Sequence, residues 1–240
     1  MAQFLLVHGS WLGAWCWREV VPRLEARGHA MIALDLPGHG EDRSPPQNVS
    51  FEDYAACVSG ALNSSKNPCI LVGHSMGGAI INHSADSLPD RIRALVYLTA
   101  LIPAEGRSMI SYVDGFDPEY LAQILWAPDR RTATLQPEGV KRFLCSQCSA
   151  ETIEVVSPLL KPEPVAPYET PILTTGPNLD KLPRYYIECL QDRVVPLALQ
   201  RAMRSTVPID GVYSLDTDHA PFFSTPEELA AVLHEIAERA

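Results

Sequence analysis

The stretch Pro68-Cys69-Ile70-Leu71-Val72-Gly73-His74-Ser75-Met76-Gly77-Gly78-Ala79-Ile80-Ile81 decides how this chain is read. Cys69–Val72 is short and wholly apolar, as a buried strand is, and Gly78–Asn82 reads as the opening of a buried helix. A Gly-x-Ser-x-Gly turn between a strand and a helix is a nucleophile elbow. It projects the serine hydroxyl above the sheet and needs small flanking residues, because a Cβ would clash in so tight a turn. The pentapeptide alone also fits a structural Gly-Ser-Gly turn, and the strand and helix around it favour a catalytic Ser75.

Working outward, Phe4–Val7, Met31–Leu34, Leu95–Leu98, Tyr185–Leu190 and, more weakly, Gly211–Leu215 are further strand-like runs. Lost polar alternation is what strands covered on both faces by helices show. Between them Arg18–Arg27 is amphipathic and stops at Gly28, and Phe51–Leu62 follows Ser50 with Asp53 placed for a capping box. Thr225-Pro226-Glu227-Glu228 has the N-cap, first-turn proline and early acids of a last helix, with Leu229, Val232, Leu233 and Ile236 as its buried stripe. The alternation predicts the α/β class, a mostly parallel sheet flanked by helices. The stretch from Pro103 to Pro183 breaks this rhythm with many prolines, short helical patterns and no convincing core strand. Some eighty residues exceed what one crossover needs. The expected organisation is a core of residues 1–102 and 184–240 and a small helical lid with its return linker at 103–183, Lys161–Pro167 being extended.

The chain has 240 residues, 46% of them hydrophobic, and a net charge of −10 with dispersed acids. That balance offers no footprint for nucleic acid or an anionic membrane. No secretory signal is visible, and no apolar run nears the roughly 18 residues of a membrane helix. Six cysteines lack framework spacing, and Cys145-x-x-Cys148 has no second pair to complete a zinc site. A reducing cytoplasm is the expected compartment, and no metal or organic cofactor is expected.

A serine nucleophile needs a base, and the base an orienting acid, in the chain order Ser, acid, His. Of seven histidines, His219 lies late, between a strand-like run and the final helix. His8, His39 and His74 adjoin glycines at turns and suit local packing or hydrogen bonding. Asp192 follows the run Tyr185–Leu190, at the carboxyl end of a strand where α/β sites collect side chains. Asp216 and Asp218 are rivals for the acid but stand too near His219. The backbone N–H groups of Met76 and Ser10 are the candidate oxyanion donors; His8-Gly9 is alternatively a mere tight turn. Trp11 is placed to line the substrate pocket or to fill core. Met109, Tyr112, Phe116, Trp126 and Phe143 line an apolar, aromatic pocket or fill the lid.

Taken together, these motifs resemble the α/β-hydrolases, in the branch of plant methyl esterases, hydroxynitrile lyases and related bacterial carboxylesterases. The likeness rests on Phe4–Gly9, Gly13–Trp17, Gly28-His29, Leu34–Gly40, Gly73–Gly77, Asp192 with Val195-Pro196, and Asp218-His219 with Pro221-Phe222. It covers nearly the whole chain, the lid matching only in size and helical character. The lyases carry threonine where Gly9 stands, to bind the cyanohydrin oxygen, and lysine where Ala220 stands, to handle cyanide. Both departures imply ester hydrolysis, with Gly9 leaving the oxyanion hole open and joining Trp11 and Trp126 as an expected residue of the substrate pocket. The resemblance implies a serine carboxylesterase acting on small to medium, apolar or aromatic esters through an acyl-enzyme on Ser75, and a dimer would suit the branch. Cyanohydrin or carbon–carbon cleavage and acyl transfer on the same triad are the alternatives of the same class, and a small-molecule sensor is the alternative of another.

Overall fold

The computed structural model describes residues 1–172, 176 and 178–240. Six parallel strands form the central sheet: β1 (Gln3–Val7), β2 (Ala30–Ala33), β3 (Cys69–His74), β4 (Ile92–Leu98), β8 (Arg184–Cys189) and β9 (Gly211–Leu215). Their order is β2-β1-β3-β4-β8-β9. Every residue of β3 and β8 is buried; Cys69–Val72 reads as unbroken apolar sequence, whereas β8 carries Arg184 and Glu188, paired with Asp180 and with Arg201 and Arg204. The order reverses between β1 and β3, whose register pairs Val7 with Gly73. Their carboxyl-end turns, His8–Ser10 and His74–Met76, therefore open side by side at the switch point where α/β sheets place their sites.

Helices cover the sheet much as the sequence patterns indicate. Helix α2 (Phe51–Ser64) carries a complete capping box: Ser50 Oγ accepts from Asp53 N, and Asp53 Oδ2 accepts from Ser50 N at 2.9 Å. The amphipathic stretch 18–27 is helical only over α1 (Val21–Glu25), because Pro22 is tolerated in a first turn and not deeper. The last helix spans Pro226–Arg239 and buries Leu229, Leu233 and Ile236, with Val232 partly buried. Thr225 occupies its N-cap position, yet its hydroxyl bonds back to Pro221 O at 3.5 Å instead of capping.

The segment between β4 and β8 is not purely helical. Its short helices are joined by an antiparallel sheet of β5 (Ile124–Trp126), β6 (Thr132–Leu135) and β7 (Glu163–Pro164). None of these three strands joins the central sheet, and the small sheet they form is an addition to the helical insertion expected from the sequence. β5 and β7 are too short for a pattern to register, and Thr132-Ala133-Thr134-Leu135 carries the one alternation, Ala133 and Leu135 facing inward. The stretch Lys161–Pro167, read as extended linker, supplies β7 and enters the helix Ala166–Glu169. Four positions of this segment, 173–175 and 177, lie outside the described residues.

The elbow is held by close approach. A Cβ on Gly73 would lie 2.5 Å from Gly77 O, and one on Gly77 would lie 2.8 Å from Val7 O. Helix α3 (Gly77–Ser87) can then start directly after Met76. Replacing Gly77 with alanine must push β1 away from the turn. A loss of roughly 1–3 kcal/mol is expected in urea unfolding.

Candidate active site

Ser75 sits at the elbow with φ +52°, a left-handed conformation that few residues other than glycine adopt. Its N–H donates to Leu98 O at 3.2 Å, and its carbonyl accepts from Leu101 N at 2.9 Å and Gly78 N at 3.1 Å. Its hydroxyl makes no hydrogen bond among the described residues. Gly9 lies directly against it: a Cβ there would stand 2.8 Å from Ser75 Cβ and 2.7 Å from His74 Nδ1.

Asp192 and His219 meet across the end of β8. His219 Nδ1 donates to Asp192 Oδ2 at 2.6 Å, which leaves Nε2 with the lone pair. The carboxylate is held by three other donors. Thr99 Oγ1 donates to Oδ2, and the N–H groups of Val194 and Val195 donate to Oδ1 at 2.7 and 2.8 Å. With four donors and no exposed surface, this acid has one orientation. The rivals are engaged elsewhere. Asp218 accepts from Gln147 N at 2.7 Å, Ser224 Oγ at 2.8 Å and Ala220 N at 3.1 Å, and Asp216 accepts from Gln191 Nε2 at 2.9 Å. Thr99, not apparent in the sequence, has φ +40° as the chain leaves β4 and brings its hydroxyl to Asp192.

Two buried histidines brace the loops of the site from behind in neutral form. His74 Nε2–H donates to His219 O at 2.8 Å, and its ring lies 4.7 Å from the His219 ring, centroid to centroid. Burial pushes the His74 pKa well below its usual value, helped by the neighbouring His219 and His8. His8 Nδ1–H donates to Gly9 O at 2.8 Å, and its Nε2 accepts from Leu36 N at 3.1 Å. Burial, then the charge of His39, lower its pKa to about 3. Both act as hydrogen-bonding struts that fix the loops around Ser75 and His219.

Ser10 N–H and Met76 N–H meet no acceptor among the described residues. Met76 stands at the N-terminus of α3, where amides lack intrahelical partners and the helix dipole favours negative charge. Ser75, Ser10 and Trp11 line a cavity of about 130 Å³, walled otherwise by the 103–183 segment, Leu101 and Val194. Met109, Phe116, Tyr120, Trp126 and Tyr168 are among its walls. Tyr112 and Phe143 are not; the Tyr112 hydroxyl accepts from Ala104 N at 2.8 Å, and Phe143 is fully buried. Gly9 stands behind the lining rather than in it, a correction to its reading as a pocket residue. A second buried carboxylate, Glu163, also lines the cavity. Sequence reasoning missed it, since a lone acid in a proline-rich run carries no signal of its partners.

Residues 4–232 match the alpha/beta hydrolase family. The chain belongs to that family. Within it the relatives are those of the plant methylesterase branch. The pyrethroid hydrolase of Sphingobium wenxiniae is 33% identical over 99% of the chain and 88% of its own length. Methylesterase 7 of Arabidopsis thaliana is 31% identical over 99% of the chain and 96% of its own length. A longer chloroplastic methylesterase of the same plant is 32% identical, and the chain spans 56% of its length. Among solved structures, polyneuridine aldehyde esterase superposes with a TM-score of 0.90 at 25% identity, covering 99% of each chain. A pyrethroid hydrolase from Sphingobium faniae gives 0.88 at 32% identity over 99% of this chain and 97% of that one. These relatives are named esterases and hydrolases, and the expectation of a carboxylic ester hydrolase stands on them. Among the described residues, no helix is long and apolar enough to cross a membrane.

The neutral histidines set an acid limit on stability. The folded pKa values of His8 and His74 lie below the unfolded value of about 6.5, so the unfolded chain binds more protons as the pH falls. Their contribution is complete above the unfolded pKa and is lost on acidification toward the folded values. Urea midpoints should therefore fall between pH 7 and pH 4.5. The ring resonances of His8 should meanwhile stay those of the neutral Nδ1–H tautomer by nitrogen-15 NMR.

Proposed function

We propose that the chain is a serine carboxylesterase in which Ser75 is the nucleophile, His219 the general base and Asp192 its orienting acid. The observation that carries this reading is the Asp192–His219 hydrogen bond of 2.6 Å, set beside a strained elbow serine at the floor of an apolar cavity. Ser75 Oγ attacks the ester carbonyl while His219 Nε2 takes its proton, and Asp192 stabilises the imidazolium. The carbonyl oxygen becomes an oxyanion and is held by Ser10 N–H and Met76 N–H. The carbon–oxygen bond to the alcohol then breaks, and His219 returns its proton to the leaving alkoxide. Water repeats the sequence on the acyl-serine, releasing the acid and restoring Ser75.

The cavity supports esters with an apolar, ring-sized group beside the carbonyl. Its volume of about 130 Å³ is near that of cavities that take up benzene. Exposed Trp126 and Val113 continue the apolar wall to the surface, where the rest of a larger ester would lie. Methyl esters of aromatic acids and pyrethroid esters, suggested by the names of the relatives, are the first substrates to try. Gly9 and the fully buried Ala220 leave no threonine or lysine for cyanohydrin cleavage. The residue range 103–183 acts in this reading as the lid of the core formed by 1–102 and 184–240. The six unpaired cysteines support a reducing, cytoplasmic setting.

With p-nitrophenyl esters as substrates, Ser75→Ala should lower turnover by about 10⁵-fold or more, and Asp192→Asn by about 10⁴-fold. Near-parental turnover in either variant would remove the triad assignment. Each methylene added to a short acyl chain should raise kcat/KM about fourfold until the cavity is filled, the equivalent of about 0.8 kcal/mol per buried group. A flat dependence would mean that the acyl group does not enter this cavity.

A further inference from the structure

Trp11 follows Ser10 and has φ +63°, a conformation unfavourable for so bulky a side chain. Such strain persists only where surrounding contacts over-determine it. Every polar group of Trp11 is taken up by the segment between β4 and β8. Its N–H donates to Glu163 Oε2 at 2.8 Å, its carbonyl accepts from Lys161 N at 2.9 Å, and its Nε1–H donates to Ala133 O at 3.3 Å. The neighbouring Ser10 hydroxyl is bonded to the Tyr168 hydroxyl of the same segment.

Glu163 is the centre of this clamp. Besides Trp11 N–H, its Oε2 faces His39 Nε2 at 3.0 Å, and its Oε1 accepts from Tyr54 OH at 3.4 Å. The other nitrogen of His39 lies 3.2 Å from Pro37 O, a group that can only accept. A carboxylate that takes N–H and O–H bonds on both oxygens acts as an acceptor toward His39 as well. Both nitrogens of His39 then carry protons, and the pair is an imidazolium and a carboxylate. Burial opposes the charge on His39, but Glu163 beside it, with the Pro37 carbonyl and Asp35, raises its pKa. The pairing matters at this place. An uncompensated carboxylate lining the cavity would repel the oxyanion that forms at Ser10 N–H, and His39 cancels that charge.

We infer that Glu163, neutralised by His39, is the positioning residue of the oxyanion loop: it fixes the Ser10–Trp11 peptide from the lid, so that the hole is assembled only while strand β7 is docked on the core. This rests on the assignment of Ser10 N–H as an oxyanion donor in the proposed function. Glu163 acts through Trp11 and His39 and need not touch the substrate.

The test measures kcat and KM for a p-nitrophenyl ester, and the affinity of an aryl trifluoromethyl ketone, which forms an oxyanion-bearing hemiketal on the serine. The wild type is compared with Glu163→Ala and Glu163→Gln, with folding followed by near-ultraviolet circular dichroism and thermal unfolding. The alanine variant should lose about 100-fold in kcat with KM within about threefold, and ketone affinity should fall by the same factor. Glutamine keeps an oxygen for Trp11 N–H and should lose only about three- to tenfold, again with ketone affinity in step. If the alanine variant does not fold, the glutamine variant carries the test. A folded variant with parental kcat, or one with lowered kcat and unchanged ketone affinity, overturns the inference. A wild type that turns over no ester overturns the proposed function and this inference together, whereas an active wild type with an equally active alanine variant overturns this inference alone.

Discussion

The left-handed turn at Ser75 is the constraint on which the rest of the site depends. An L-residue at φ +52° is unfavourable by itself, and it persists here because the two glycines of the elbow let three chain segments meet within van der Waals contact. Gly77 lies against the end of β1, and Gly73 lies against the first turn of α3. The same contact brings the β1 loop beside the serine, so Ser75 and the Met76 amide are set by one piece of backbone packing, from which the Ser10 loop departs toward the lid. The parallel register of β1 with β3 makes this possible. A slip of one residue would turn every side chain of β3 to the opposite face.

Electrostatics around the elbow follow a simple division. His8 and His74 are buried, neutral and used as struts, each bonded to a backbone carbonyl of the loop it supports. The charged groups are paired or saturated: Asp192 has four donors, and Glu163 has His39, Trp11 N–H and Tyr54. A site so arranged adds negative charge at one place only, the carbonyl oxygen of a bound ester. Preorganised donors beside an apolar cavity then act on it without reorganisation.

Much of this was legible in the sequence, for physical reasons. Strands buried on both faces lose polar alternation, so Phe4–Val7 and Cys69–Val72 stand out as apolar runs, and Tyr185–Leu190 as one broken only by Glu188. The elbow is readable because its steric demand falls on glycines at fixed offsets. Asp192 and His219 are readable because each follows a strand, at the sheet end where side chains converge. What could not be read depends on contacts distant in sequence. His39 and Glu163 are 124 residues apart, and nothing local marks either as the partner of the other. Thr99 reaches Asp192 only because the chain turns sharply after β4. The β5–β7 sheet escaped because strands of two to four residues, one containing proline, leave no period to detect. Gly9 was placed in the pocket for the space it leaves, whereas that space is filled by His74 and Ser75.

The central claim is that Ser75 forms a covalent acyl intermediate, and rapid-quench intact-mass analysis tests it most directly. Enzyme mixed with a p-nitrophenyl ester and quenched in acid within milliseconds should gain the mass of one acyl group, and peptide mapping should place it on Ser75. Turnover without any acylated protein, or an acyl group mapped to another residue, would contradict the account.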